Sequence, residues 1–110
     1  MVLKVKGIVS KGLGQSNSWM PMYLPDLFPG TLNIQLETMP SIAWHTKIDT
    51  HWNKPVKLAN CLINGVAAII IQPPLANTKK RPKLLEVGST VKLRDELNLS
   101  TGDTVEIEFI

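Results

Sequence analysis

The stretch Val56-Lys57-Leu58-Ala59-Asn60-Cys61-Leu62-Ile63-Asn64-Gly65-Val66-Ala67-Ala68-Ile69-Ile70-Ile71-Gln72 carries the pattern that decides the fold. Two apolar runs, Val56 to Ile63 and Val66 to Gln72, are joined by Asn64-Gly65. A two-residue type I′ connection needs positive φ at both positions, and Asn-Gly accepts that conformation readily, so the segment predicts a central antiparallel hairpin.

Upstream, Leu3, Val5 and Val9 alternate with Lys4, Lys6 and Ile8 around Gly7, which is the period of a half-buried strand. It runs into a loop, Ser10 to Asn17, rich in residues that tolerate positive φ or bond their own backbone. Trp19 to Pro29 holds three prolines among large apolar residues and predicts an ordered connection with little regular structure beyond a short helical turn. Thr31 to Glu37 alternates again, with Leu32, Ile34 and Leu36 on one face and Thr31, Asn33, Gln35 and Glu37 on the other. Thr38 to Lys54 sustains no period and reads as a long connection or a short irregular strand.

Downstream, Pro73 to Pro82 is proline-rich and then basic, an exposed loop, and Leu84 to Val87 forms a short strand. Ser89 or Thr90 is expected to cap a brief helix whose Leu93 and Leu97 face the core together. A Ser100-Thr101-Gly102-Asp103 turn precedes a last alternating strand, Thr104 to Phe109. Short strands, one short helix near the C-terminus and no βαβ rhythm predict a mainly β protein, a small closed or partly closed barrel.

A chain of 110 residues with 44% hydrophobic content supports one core, so a single domain over residues 1–110 is expected. Twelve Lys and Arg against nine Asp and Glu leave a net charge of +3, which favours anionic ligands such as phosphate esters. The basic residues Lys79, Lys80, Arg81, Lys83 and Lys92 lack the interleaved aromatics of a single-strand binding platform, so nucleic acid is not the expected partner. Cys61 is the only cysteine, which excludes an intrachain disulfide and a multi-thiolate zinc site. The first residues, MVLKVKGIV, do not form a signal peptide, and no apolar run reaches the ~18 residues of a membrane span. A cytoplasmic protein without a membrane partner is the expectation.

Several residues have chemistry to offer. Gly12-Leu13-Gly14 after a strand lets backbone N–H groups approach phosphate oxygens, or serves only as a tight turn. Thr31 and Asn33 place a hydroxyl and a carboxamide oxygen on one strand face roughly 7 Å apart, which suits magnesium or is simply a solvated polar face. Glu86 sits among apolar neighbours and either points outward or accepts a hydrogen bond from a substrate. Lys92 and Arg94 open the short helix, where they reach a phosphate or base or remain solvated. His45, Asp49 and His51 match no recurrent zinc spacing. Cys61 reads as a small buried hydrophobe, and Trp44 and Trp52 as packing residues.

Taken in order, these segments resemble the CTP-dependent riboflavin kinases, the archaeal-type family with a cradle-loop (RIFT-type) barrel. The resemblance spans nearly the whole chain. It rests on Gly12-Leu13-Gly14, on Pro29-Gly30-Thr31-Leu32-Asn33-Ile34, and on Val91-Lys92-Leu93-Arg94-Asp95-Glu96-Leu97-Asn98-Leu99 with Gly102-Asp103-Thr104-Val105. It implies that Gly12, Leu13, Gly14, Gln15, Ser16 and Asn17, together with Val91, Lys92, Leu93 and Arg94, hold the nucleotide. Thr31 and Asn33 would bind Mg2+, and Thr78 and Glu86 would contact the flavin, with Glu86 orienting or helping to deprotonate the attacking hydroxyl. The implied substrates are CTP and riboflavin and the products FMN and CDP. Two departures stand out: Ser16 and Asn17 replace a further glycine and a basic residue usual in the family, and the connection from Ser18 to Pro29 is shorter than usual. The first of them, in the Gly12 to Asn17 loop, motivates an alternative, a non-catalytic flavin- or nucleotide-binding module on the same barrel.

Overall fold

The computed structural model describes residues 3–11, 24–28, 31–48, 56–71 and 83–110. Among them are seven strands, β1 (Leu3–Ser10), β2 (Leu32–Leu36), β3 (Thr46–Ile48), β4 (Val56–Ile63), β5 (Val66–Ile71), β6 (Leu84–Gly88) and β7 (Thr104–Phe109). One short helix, α1 (Leu93–Glu96), lies between β6 and β7. Asn64 and Gly65 have φ of 47° and 84°, so the β4–β5 hairpin turns as its Asn-Gly pair dictates.

The strands are neighbours in the order β4, β5, β6, β2, β1, β7, and β7 returns to β4, so six antiparallel strands close into a barrel. One edge of β4 is shared to achieve this. Its Cys61, Leu62 and Ile63 pair with Phe109, Glu108 and Ile107 of β7, while its Val56, Lys57 and Leu58 pair with Ile48, Lys47 and Thr46 of β3. The unpatterned region around Thr46 thus supplies a three-residue strand, held by pairing with its neighbour and not by a periodicity of its own.

Alternation sorts side chains between the inside and the outside of this barrel. Inside lie Val9, Ile34, Ile63, Ile70, Val87, Val105 and Ile107, all almost completely buried, with Leu93 and partly buried Leu97 of the α1 segment packed on the same cluster. Cys61 is buried there too, and desolvation pushes its thiol up to about 12, so it acts as a small apolar side chain. Trp44 packs against this core, as expected; Trp52 lies outside the described residues.

Two expectations are corrected. Neither Ser89 nor Thr90 caps the helix: Lys92 is the N-cap residue, no side chain bonds there, and the Ser89 hydroxyl donates instead to the Ala67 carbonyl at 2.8 Å. Ser89 is drawn into the β5–β6 region because it is buried and its hydroxyl needs an acceptor. The second β strand is also shorter than predicted, ending at Leu36 rather than Glu37. The helix ends as a Schellman motif: Asn98 has φ of 51°, Leu99 N–H donates to the Arg94 carbonyl at 2.8 Å and Asn98 N–H to the Asp95 carbonyl at 3.3 Å.

Gly7 shows how little room the barrel has. It belongs to the inward row of β1, opposite Leu36 and Val105, and a Cβ there would lie 2.4 Å from Ile34 Cγ2 and 2.8 Å from Leu36 Cδ2. Ile34 is β-branched and fully buried, so it has no alternative rotamer into open space. Gly7→Ala is expected to lower the unfolding free energy by about 1–3 kcal/mol, read as a lower denaturant midpoint at unchanged slope. An unshifted midpoint would mean that Ile34 and Leu36 yield without strain.

Candidate functional site

The register places one transverse row of residues on the outer face of the barrel. Ser10 pairs with Asn33, Asn33 with Glu86, Glu86 with Ile71, Ile71 with Leu58 and Leu58 with Thr46. Directly opposed residues point to the same side of a sheet, so this row crosses six strands, with polar Ser10, Asn33 and Glu86 followed by apolar Ile71 and Leu58 and then Thr46 at the far end. The apolar members, Leu58 and Ile71, are buried beneath Leu24 and Leu27 of segment 24–28. Asn33, in the same row, is 7% exposed and so is not part of an open polar strand face.

Thr31, just before β2, donates its hydroxyl to Glu86 Oε1 over a long 3.4 Å. Thr31, Asn33 and Glu86 therefore converge at the β2–β6 boundary. Burial raises the Glu86 pKa above its ordinary value of 4.5, while the Thr31 hydrogen bond opposes that shift; desolvation is the larger effect. Asn33 Oδ1 is buried and has no hydrogen-bond partner. An unpaired buried acceptor costs about 1–3 kcal/mol, so a cation or a donor from outside the chain is its natural complement. A hydroxyl and a carboxamide oxygen fit magnesium, a hard ion that takes few protein oxygens and fills its octahedron with water and phosphate.

Beside Thr31 opens a cavity of about 390 Å³, whose polar lining includes Thr31, Ser89, Lys92 and Arg94. Two cations against nearby apolar walls favour an anionic ligand. Arg94 also ties this wall to the rest of the barrel: its Nη2 donates to the Ser10 carbonyl and to Thr101 Oγ1, each at 3.3 Å. The turn that carries Thr101 is itself fixed to β1, with Gly102 N–H donating to the Val9 carbonyl and Val9 N–H to the Asp103 carbonyl, both at 2.8 Å. The start of α1 is thereby held beside the end of β1.

The structure thus brings together Thr31, Asn33 and Glu86, and it places Val91, Lys92, Leu93 and Arg94 along the adjoining cavity. Gly12, Leu13, Gly14, Gln15, Ser16, Asn17 and Thr78 lie outside the described residues, as do Asp49 and His51. His45 is exposed, with Nδ1 2.6 Å from Thr46 Oγ1, and no metal-ligating cluster of His, Cys, Asp and Glu occurs among the described residues. Sequence reasoning missed Phe28 and Ser89, which also line the cavity. Their one sequence signal was proximity: Phe28 directly precedes Pro29-Gly30-Thr31, and Ser89 directly precedes the Thr90 to Arg94 segment.

These features define a small antiparallel barrel with an oxygen-lined, partly desolvated site opening beside a cationic cavity, an arrangement suited to phosphate-bearing ligands. Comparison with known proteins agrees. A family model for CTP-dependent riboflavin kinases, described as a domain of unknown function (DUF120), matches residues 9–109, and the chain belongs to this family. Riboflavin kinase from Archaeoglobus fulgidus is 30% identical, the alignment covering 98% of this chain and 55% of the relative. That from Pyrococcus abyssi is 29% identical over 96% of this chain and 58% of the relative. Riboflavin kinase from Methanobrevibacter smithii is 32% identical over 97% of this chain and the whole of the relative. The chain therefore spans a little over half the length of the first two relatives and matches the third end to end. The alignment with the Archaeoglobus protein runs to 131 positions against 110 residues here, so that relative carries segments this chain lacks. No helix among the described residues is long and apolar enough to cross a membrane.

The Glu86 shift has a consequence for stability. A carboxyl whose pKa is raised on folding stabilises the native state fully below its unfolded value and loses that contribution as pH climbs through the raised native value. Glu86→Gln removes the effect. The unfolding free energy of the unaltered protein should therefore fall relative to that of Glu86→Gln as pH rises above 4.5. Parallel pH profiles in chemical denaturation would show that folding does not raise the Glu86 pKa.

Proposed function

We propose that this chain is a riboflavin kinase that transfers the γ-phosphoryl group of CTP to the 5′-hydroxyl of riboflavin, yielding FMN and CDP. The observation that carries this reading is the β2–β6 register, which sets Asn33 opposite Glu86 with Thr31 bonded to the same carboxyl. Membership of the family supports the reaction class, and the kinase relatives support the acceptor.

Thr31 and Asn33 would hold Mg2+, which when bound supplies neutralisation of the triphosphate charge. Lys92 and Arg94 attract the phosphates to the cavity, and the backbone of Gly12 to Asn17 wraps them, with Val91 to Arg94 holding the rest of the nucleotide. Thr78 and Glu86 orient the flavin so that its 5′-oxygen meets the γ-phosphorus. A bond forms between those atoms as the bond from the γ-phosphorus to the β–γ bridging oxygen breaks, and CDP leaves with that electron pair. Glu86 takes the hydroxyl proton. Its raised pKa makes it a stronger base, once ionised, than an ordinary surface carboxylate. Holding the reactants in line contributes most, because phosphoryl transfer asks for little covalent chemistry from the protein.

Ser16 and Asn17, in place of a glycine and a basic residue, favour a second reading, a module that binds the same ligands without turnover. One experiment separates the two. Purified protein is incubated with riboflavin, magnesium and each of the four nucleoside triphosphates, and FMN is measured by chromatography. FMN with CTP supports the kinase, whereas thermal stabilisation by the ligands without FMN supports the binding module. Asn33→Ala is expected to reduce turnover by about 100-fold or more while unfolding remains cooperative. Undiminished turnover in that variant would remove Asn33 as a metal ligand.

A further inference from the structure

Leu3, Ile8, Phe28 and Ile110 are the large apolar side chains left exposed among the described residues. Leu3 and Ile110 lie at the ends of the described chain, and Ile8 is on the outer face of β1. Phe28 is different: it lines the cavity next to Thr31.

Its backbone is fixed from two directions. Leu24 and Leu27 pack on the outer cluster of Leu58 and Ile71, and Leu27 N–H donates to the Leu24 carbonyl at 3.1 Å. Phe28 N–H donates to the carbonyl of Ser89 at 2.7 Å, and Ser89, 3% exposed, is bonded through its hydroxyl to β5. These contacts fix the backbone of Phe28 beside the cavity, so little backbone entropy is left to lose there on binding. The rest of the wall divides by chemistry: Val91 and Leu93 are apolar, and Lys92 and Arg94 are cationic. Such a cavity takes a ligand with one flat apolar part and one anionic part.

We propose that Phe28 is the stacking platform for the nucleobase of the nucleotide substrate. The proposal rests on the nucleotide-dependent reading above and assigns to it a residue outside the motifs that carry the family resemblance. The base, and not the flavin ring, is the occupant because the cavity contains the cationic Lys92 and Arg94, whereas Asn33 and Glu86 are not among its lining residues. Stacking is indifferent to base identity, so Phe28 contributes affinity, and discrimination among bases falls to groups at the base edge.

The test measures CDP binding in the presence of magnesium by calorimetry, for the unaltered protein, Phe28→Leu and Phe28→Trp. Leucine keeps the apolar volume and loses the π face; tryptophan keeps the face. Phe28→Leu should weaken CDP about tenfold or more, Phe28→Trp should stay within about threefold of the unaltered protein, and riboflavin affinity should change less than about twofold in both. Undiminished CDP binding by Phe28→Leu, or a loss confined to riboflavin, overturns the assignment. On the unaltered protein, nuclear Overhauser contacts between the Phe28 ring and the H5 and H6 protons of CDP are expected, so the proposal is decided even if a variant folds poorly; absence of those contacts in the complex overturns it. If the unaltered protein binds no nucleoside diphosphate, the nucleotide reading itself fails, an outcome distinct from a normal protein with an indifferent Phe28.

Discussion

Pairing of Cys61, Leu62 and Ile63 with Phe109, Glu108 and Ile107 closes the sheet, and the rest of the structure depends on it. An open sheet would leave β4 and β7 with unpaired backbone groups and one core face in water. Closure over only six strands also makes the interior narrow. Gly7 is the residue on which that narrowness falls, since Ile34 and Leu36 occupy the space its side chain would fill.

The same closure sets the outer face. Strict alternation means that once Val9, Ile34, Leu85 and Ile70 face inward, Ser10, Asn33, Glu86 and Ile71 face outward as a row. Segment 24–28 covers the row's apolar members Leu58 and Ile71, and its polar members Asn33 and Glu86 are partly desolvated as well. Partial desolvation gives the site its chemistry. It raises the pKa of Glu86 and leaves Asn33 Oδ1 unpaired, two conditions that a fully solvated strand face would not produce.

Arg94 joins this face to α1. Its bonds to Ser10 and Thr101 link the end of β1 to the helix and the adjoining Ser100 to Asp103 turn, with Ser10 and Arg94 separated by 84 residues in the chain. Ser100 N–H donates to Asp103 Oδ2 at 2.8 Å, which stiffens the turn that Arg94 grips. The Schellman end of α1 at Asn98 redirects the chain toward β7, so the last strand can both flank β1 and complete the closure.

Local sequence was enough for elements whose cause is local. Asn64-Gly65 makes its turn because two consecutive positive φ values suit that pair, and Val5, Val9, Leu32, Ile34, Val105 and Ile107 alternate because one sheet face is buried. The motifs around Thr31, Asn33 and Arg94 were likewise legible, as types and spacings along the chain. Three things were not. The β3 strand exists through pairing with β4, Ser89 is bound to Ala67 rather than capping α1, and Phe28 stands at a cavity wall; each depends on a partner remote in sequence. Pro29-Gly30-Thr31-Leu32-Asn33 in isolation is equally a solvated polar strand or a ligand site. Only the tertiary structure decided that Asn33 is buried opposite Glu86, because register and covering are properties of the closed barrel and not of any one strand.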